Sequence, residues 1–194
     1  MHLAGLAVAT LMGAILLYQA PADPRIDAVH LGLHAGTLVV LLSVSLLFNQ
    51  WPPTPFKKHL ARLDQASIFL FMAGSYTPFL AILVGTDSGP WMMVLVWSAA
   101  VIGMCLKLFA PHRFGRIAIL LYLTIGWSGL AVFQDLGRYV ADHVLLLLLG
   151  GGLVYSLGIV FHLWERLRFQ NALWHLTVVA GASLHLWALM EAIR

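Results

Sequence analysis

The sequence predicts an all-α, polytopic membrane protein: seven transmembrane helices in one bundle, with the N-terminus in the cytoplasm. Three observations predict it. The residues A, V, I, L, M, F, W, Y and C fill 61% of 194 positions while D, E, K and R fill only 10%, against about 25% charged in an ordinary soluble domain. Seven apolar stretches of near-equal length recur along the chain, each close to the roughly 20 residues that cross about 30 Å of hydrocarbon. The strong bases collect in alternate connections. One small soluble core buries only about two-thirds of its surface and cannot absorb this much apolar area. Lipid is the missing solvent.

The spans fall at about 2–19, 30–49, 66–85, 90–109, 115–133, 143–162 and 172–191. The first, MHLAGLAVATLMGAILLYQA, has no Lys/Arg lead-in, so it reads as a spanning helix and not as a cleaved signal peptide. The connections PADPRID, WPPTPFKKHLARLD, GTDSG, APHRFG, QDLGRYVAD and WERLRFQN each hold Pro, Gly or charge, residues that end helices cheaply only outside hydrocarbon. The third connection is very short, and Pro90 fits the first turn of the helix that follows it. No connection is long enough to fold alone, so residues 1–194 form a single domain.

Orientation follows from charge. Connections 2–3, 4–5 and 6–7, with their helix ends, carry Lys57, Lys58, Arg62, Lys107, Arg113, Arg116, Arg166 and Arg168. The other side has Arg25, Arg138 and Arg194 with the acids Asp23, Asp27, Asp87, Asp135, Asp142 and Glu191. Short loops obey the positive-inside rule, so the N-terminus is cytoplasmic and an odd number of spans puts the C-terminus outside. The bases are too few and scattered for nucleic acid. The lone Cys105 permits no intramolecular disulfide. Trp51, Trp91 and Trp164 near span ends are interfacial anchors.

Polar groups inside membrane helices are costly and face the bundle interior. Ser45 and Asn49 sit four apart at the cytoplasmic end of the second span, Asp64 and Gln65 open the third with Asp64 as a cap, and Asn171 and His175 sit four apart opening the seventh. Equal depth makes them candidates for one pocket. Each also has a plain structural role open to it: a cap for Asp64, a bond to its own helix backbone for Ser45, an interfacial amide for Asn49 or Asn171, a satisfied core imidazole for His175. A competing metal set, His30 and His34 with His143, requires the second and sixth spans to touch. His175 and His185 lie ten residues apart, about 15 Å along a helix, too far to share an ion. His185 is expected to hold an interhelical hydrogen bond.

The segments ARLDQASIFLFMAGSYTPF (61–79), LYLTIGWSGL (121–130) and NALWHLTVVAGASLH (171–185) resemble the haemolysin III family, the bacterial branch of the progestin and adiponectin receptor superfamily, over essentially the whole chain. The resemblance implies seven helices with a cytoplasmic N-terminus in a bacterial cytoplasmic membrane. It also implies an intramembrane zinc site of three histidines, with a Ser and an Asp flanking a metal-bound water, and lipid amide hydrolysis in several eukaryotic relatives. Carried over, the Ser is Ser45, the Asp is Asp64 and the last zinc histidine is His175. The other two zinc positions hold Asn49 and Asn171, and Gln65 stands where the family often has His. An amide is a poor substitute for imidazole on zinc, and Asn49 has no basicity with which to activate Ser45.

The expectation is therefore a haemolysin III-like membrane protein with a degenerate metal site and no resident cofactor, its pocket of Ser45, Asn49, Asp64, Gln65, Asn171 and His175 binding a lipid or small ligand and affecting membrane homeostasis. The alternatives are a metal-dependent lipid amidohydrolase, with Ser45 and Asp64 catalytic, and a pore or transporter. Membrane lipids are the expected partners in every case.

Overall fold

The computed structural model describes residues 2–18, 24–110 and 115–194, and the side chains of all of these except residues 2–4, 115 and 116. Asp23 and Arg113, and the side chain of Arg116, lie outside that description. The regular elements among the described residues are all helical: α1 (His2–Tyr18), α2 (Ala28–Gln50), α3 (Lys57–Ile82), α4 (Ser88–Phe109), α5 (Gly115–Ser128), a 3₁₀ turn (Gly129–Val132), α6 (Phe133–Leu136), α7 (Asp142–Leu163) and α8 (Gln170–Ala192). Among the described residues, six segments are long and apolar enough to cross a membrane: α2, α3, α4, the run Ile117–Leu136 through α5 and α6, α7 and α8. The first helix is apolar but shorter, 17 residues. The protein is a polytopic membrane protein, and large apolar side chains such as Leu11, Val94, Leu120, Leu146 and Leu153 point outward, as lipid requires.

Each end has a local cause. Asp27 caps α2, its Oδ1 accepting from the Val29 and His30 amides at 2.9 and 3.0 Å while His30 Nδ1 accepts from the Asp27 amide, a reciprocal capping box. Pro90 sits in the first turn of α4, where its missing N–H costs nothing. The third helix begins at Lys57, so Asp64 is two turns inside it and is not its cap; the polar run KKHLARLD extends the helix out of hydrocarbon before its apolar part begins. The fifth span is broken. Tyr76 Oη lies 2.8 and 2.9 Å from the carbonyls of Ile125 and Gly126 and accepts from the Gly129 amide at 3.1 Å, so backbone groups freed by the break are satisfied from α3, as hydrocarbon demands.

α3 is the central helix, with 72% of its apolar window buried inside the bundle against 17–44% for the other five spans. It packs between α2 and α4, α1 lies on α2, and α7 pairs with α8. Small residues set the spacing. A side chain at Gly103 of α4 would collide with the ring of Phe69, which is fully buried and stacks on Tyr122 at 4.3 Å. A Cβ at Gly74 would run into Thr37 and the Leu33 carbonyl, so this glycine lets α2 close on α3. At the rim bearing the 1–2 connection, Arg25 donates to the Ile82 carbonyl at 2.7 Å and lies over the Tyr139 ring. Ser88 donates to Asp135 at 2.6 Å.

Candidate functional site

At the opposite rim the end of α2 meets the start of α8. Asn49 and Asn171 face one another, Asn171 Nδ2 donating to Asn49 Oδ1 at 3.3 Å. Asn49 Nδ2 donates in turn to the Ser45 carbonyl one helical turn back at 2.8 Å. Both ends of the Asn49 amide are thus engaged by protein. The entry to α8 is held tightly: Phe169 takes a left-handed φ of 63°, a conformation that costs a non-glycine residue roughly 1 kcal/mol. Gln170 Nε2 closes the preceding connection on the His162 carbonyl at 2.8 Å.

Beneath this bridge is a cavity of about 420 Å³ between α1, α2, α3 and α8, lined by Ser45, Asp64 and His175 among mostly apolar side chains such as Leu42, Ile68 and Val179. Ser45 is buried and its hydroxyl faces the Asp64 carboxyl. The Asp64 carbonyl accepts from Ser67 Oγ at 2.8 Å. Of the six residues expected to share a pocket, Ser45, Asp64 and His175 line this cavity, while Asn49 and Asn171 lie one helical turn from Ser45 and His175 and outside its lining. Gln65 points elsewhere: its Oε1 accepts from Lys107 Nζ at 2.9 Å and its carbonyl from Tyr122 Oη at 2.9 Å. Adjacent helix positions are about 100° apart, so Asp64 and Gln65 cannot face the same way.

These side chains do not match what tetrahedral zinc takes. At the three positions where the resemblance implies imidazoles there is one imidazole and two amides, and the amides are bonded to each other. Among the described residues no group of three or more His, Cys, Asp or Glu is placed to hold a metal ion. Chemically the site offers a carboxyl, a hydroxyl and an imidazole beside an apolar volume, an arrangement suited to an amphiphile.

The competing histidine set is dispersed. His30 belongs to the α2 capping box. His34 is fully buried on the edge of Phe71, and His143 on α7 lies 3.6 Å from Glu191 of α8. His185 Nε2 is 3.2 Å from the Leu148 carbonyl of α7, the interhelical bond expected of it. Sequence reasoning missed two things here. One is Trp174, which lines both this cavity and a deeper one. The other is the Tyr155 hydroxyl, buried without a hydrogen-bond partner; a lone phenol in a Leu/Gly-rich span was the available signal.

Comparison with known proteins places the chain in a family. Residues 1–186 match the family model described as Haemolysin-III related. The chain is 33% identical over 152 residues to Hemolysin-3 of Bacillus cereus, covering 78% of this chain and 69% of that protein. It is 28% identical over 169 residues to a Hemolysin-3 homolog of Bacillus subtilis (strain 168), covering 87% and 79%. To the human monocyte to macrophage differentiation factor it is 27% identical over 192 residues, covering 96% of this chain and 79% of that one. With a helical membrane bundle and a family model spanning nearly its whole length, the chain belongs to the haemolysin III family and is more distantly related to the progestin and adiponectin receptor proteins.

Proposed function

We propose that this chain is a non-enzymatic haemolysin III protein whose rim pocket holds a lipid or small amphiphile in place of a catalytic metal, and that it acts on membrane homeostasis through that occupant. The observation carrying this reading is the Asn171–Asn49 hydrogen bond over a cavity of about 420 Å³. Amides that donate and accept replace the ligands a metal needs, while the apolar volume is kept. The Ser45–Asp64 pair and His175 give a polar head group its partners, and Leu42, Ile68 and Val179 suit a hydrocarbon tail. In this reading residues 1–194 are one domain of seven spans in a bacterial cytoplasmic membrane, N-terminus and pocket on the cytoplasmic side. The eight bases on that side support the orientation.

Extraction of purified protein followed by lipid mass spectrometry tests it. Native protein retains a bound amphiphile near stoichiometry, and Val179→Trp, which adds an indole to the cavity wall, loses it. No retained amphiphile in the native protein would overturn the reading.

A second reading, a lipid amidohydrolase with a changed metal site, draws on Ser45, Asp64 and His175 bordering one cavity. Stoichiometric tightly bound zinc together with amide hydrolysis would favour it.

A further inference from the structure

The connection between α2 and α3 has a fixed shape. The Trp51 amide closes α2 on the Leu47 carbonyl at 2.9 Å, and the Thr54 and Lys57 amides turn the chain on the Pro52 and Thr54 carbonyls at 2.8 and 3.0 Å. Pro52, Pro53 and Pro55 lock their own φ, so the segment is stiff for a connection. It frames an open groove of about 540 Å³, lined by Phe48 and Ala61 of the two helices, by Pro53 and Pro55, and by Lys57 and Lys58. The groove is separate from the rim pocket: Ser45, Asp64 and His175 line that cavity and none of them lines this one.

Charge and depth say what this groove meets. Lys57 Nζ donates to the Trp51 carbonyl at 2.8 Å and stands 5.5 Å from the centre of the Phe48 ring, which leaves two of its three N–H groups to offer. Lys58 is exposed beside it. Among the described residues, the bases Lys57, Lys58, Arg62, Lys107, Arg166 and Arg168 of this rim form no ion pair with an acid. At the other rim Arg138 and Arg194 pair with Asp135 and Glu191 at 3.3 and 2.9 Å. An uncompensated positive rim draws anions, and the anions concentrated at a membrane surface are lipid headgroups. Depth comes from the aromatic residues. Trp51 and Phe56 are 38% and 50% exposed with ring centroids 5.3 Å apart, and His59 continues the row at 6.1 Å from Phe56. Exposed aromatic rings at the end of a span sit at headgroup level, so the neighbouring lysines lie where lipid phosphates lie.

We propose that this groove docks the headgroup of an anionic glycerophospholipid, with the phosphate between the Lys57 and Lys58 ammonium groups and the first acyl carbons against Phe48 and the prolines. The two lysines have different parts. Lys57 is already oriented by the Trp51 carbonyl, so it gives up little rotamer freedom on binding. Lys58, the more exposed, swings onto the phosphate. No acid lines the groove, so nothing in its wall repels the anion. A soluble phosphate would use the lysines and leave the apolar wall idle. A lipid uses both.

The test equilibrates the purified full chain in detergent with equal amounts of phosphatidylglycerol and phosphatidylcholine and counts bound lipid by native mass spectrometry. Native protein prefers phosphatidylglycerol. The preference falls about fivefold in Lys58→Gln and about as much again when Lys57→Gln is added, as expected for two bases at a membrane surface. Arg138→Gln, at the other rim, keeps the preference, and excess inorganic phosphate does not displace the lipid. Val179→Trp, which fills the rim pocket, keeps it too, so this inference and the rim-pocket reading fail separately. No preference in the native protein would overturn the proposal, as would an undiminished preference in the double lysine variant, or displacement by phosphate alone.

Discussion

Asn171 and Asn49, 122 residues apart in sequence, share a direct amide–amide hydrogen bond of 3.3 Å that joins the start of α8 to the end of α2. Two side chains this close are within reach of a common ion when both are imidazoles. The double substitution Asn49→His with Asn171→His therefore creates a three-imidazole zinc site with the native His175, with water beside Asp64 as the fourth ligand. Metal content of native and doubly substituted protein, measured after chelator washing, checks it: no retained zinc in the native chain, about one ion per chain in the variant. Tight stoichiometric zinc in the native chain defeats the degenerate-site reading.

Topology is checked by cysteine labelling in intact cells on a Cys105→Ser background. Lys58→Cys and Arg166→Cys are shielded from an impermeant reagent, whereas Asp87→Cys and Arg138→Cys react. The reverse pattern contradicts a cytoplasmic N-terminus.

Two glycine substitutions separate packing from propensity. Nothing lies within 4 Å of a Cβ placed on Gly32, so Gly32→Ala gains the helix preference of alanine, about 0.5–1 kcal/mol. Gly103→Ala drives a methyl into the buried Phe69 ring and costs about 1–3 kcal/mol. Thermal unfolding in detergent shows a higher midpoint for the first and a lower one for the second.

Acid weakens the start of α2. The Asp27 carboxyl is held below its ordinary value chiefly by the His30 backbone amide it accepts from, with the His30 charge and the Val29 amide adding to this against some burial. A lowered carboxyl stabilises the fold above its ordinary value, and that contribution is lost as pH falls through the folded-state value. Between about pH 6 and about pH 3 the unfolding midpoint drops further in the native protein than in Asp27→Asn, which cannot ionise. Equal drops remove Asp27 from the account.

Hydropathy shows where a chain is apolar, and the apolar lengths matched the helices well for α2, α4, α7 and α8. It does not show where a helix starts when its first turns are polar, which is why Asp64 read as a cap although α3 begins at Lys57. The break after Ser128 was equally hidden: Gly129, Leu130, Ala131 and Val132 are as apolar as the helix before them, and only the Tyr76 hydroxyl from another span reveals it. Spacing of four brought Asn171 and His175 onto related faces, yet the direction of Gln65 depended on Lys107 and Tyr122 from helices far along the chain. Pairings such as Phe69 with Tyr122 are decided by helix packing alone and leave no trace in local pattern.

The Tyr76 contact makes the broken fifth span a jointed one. A single phenolic oxygen meets two carbonyls and one amide, so the place where the helix tightens is pinned by a side chain of its neighbour. Carbonyls at 2.8 and 2.9 Å are near-equal acceptors, and the proton can change hands between them without a bond being lost. Removal of the Tyr76 hydroxyl would therefore take one partner at once from three backbone groups of a different helix, a loss that hydrocarbon cannot make good.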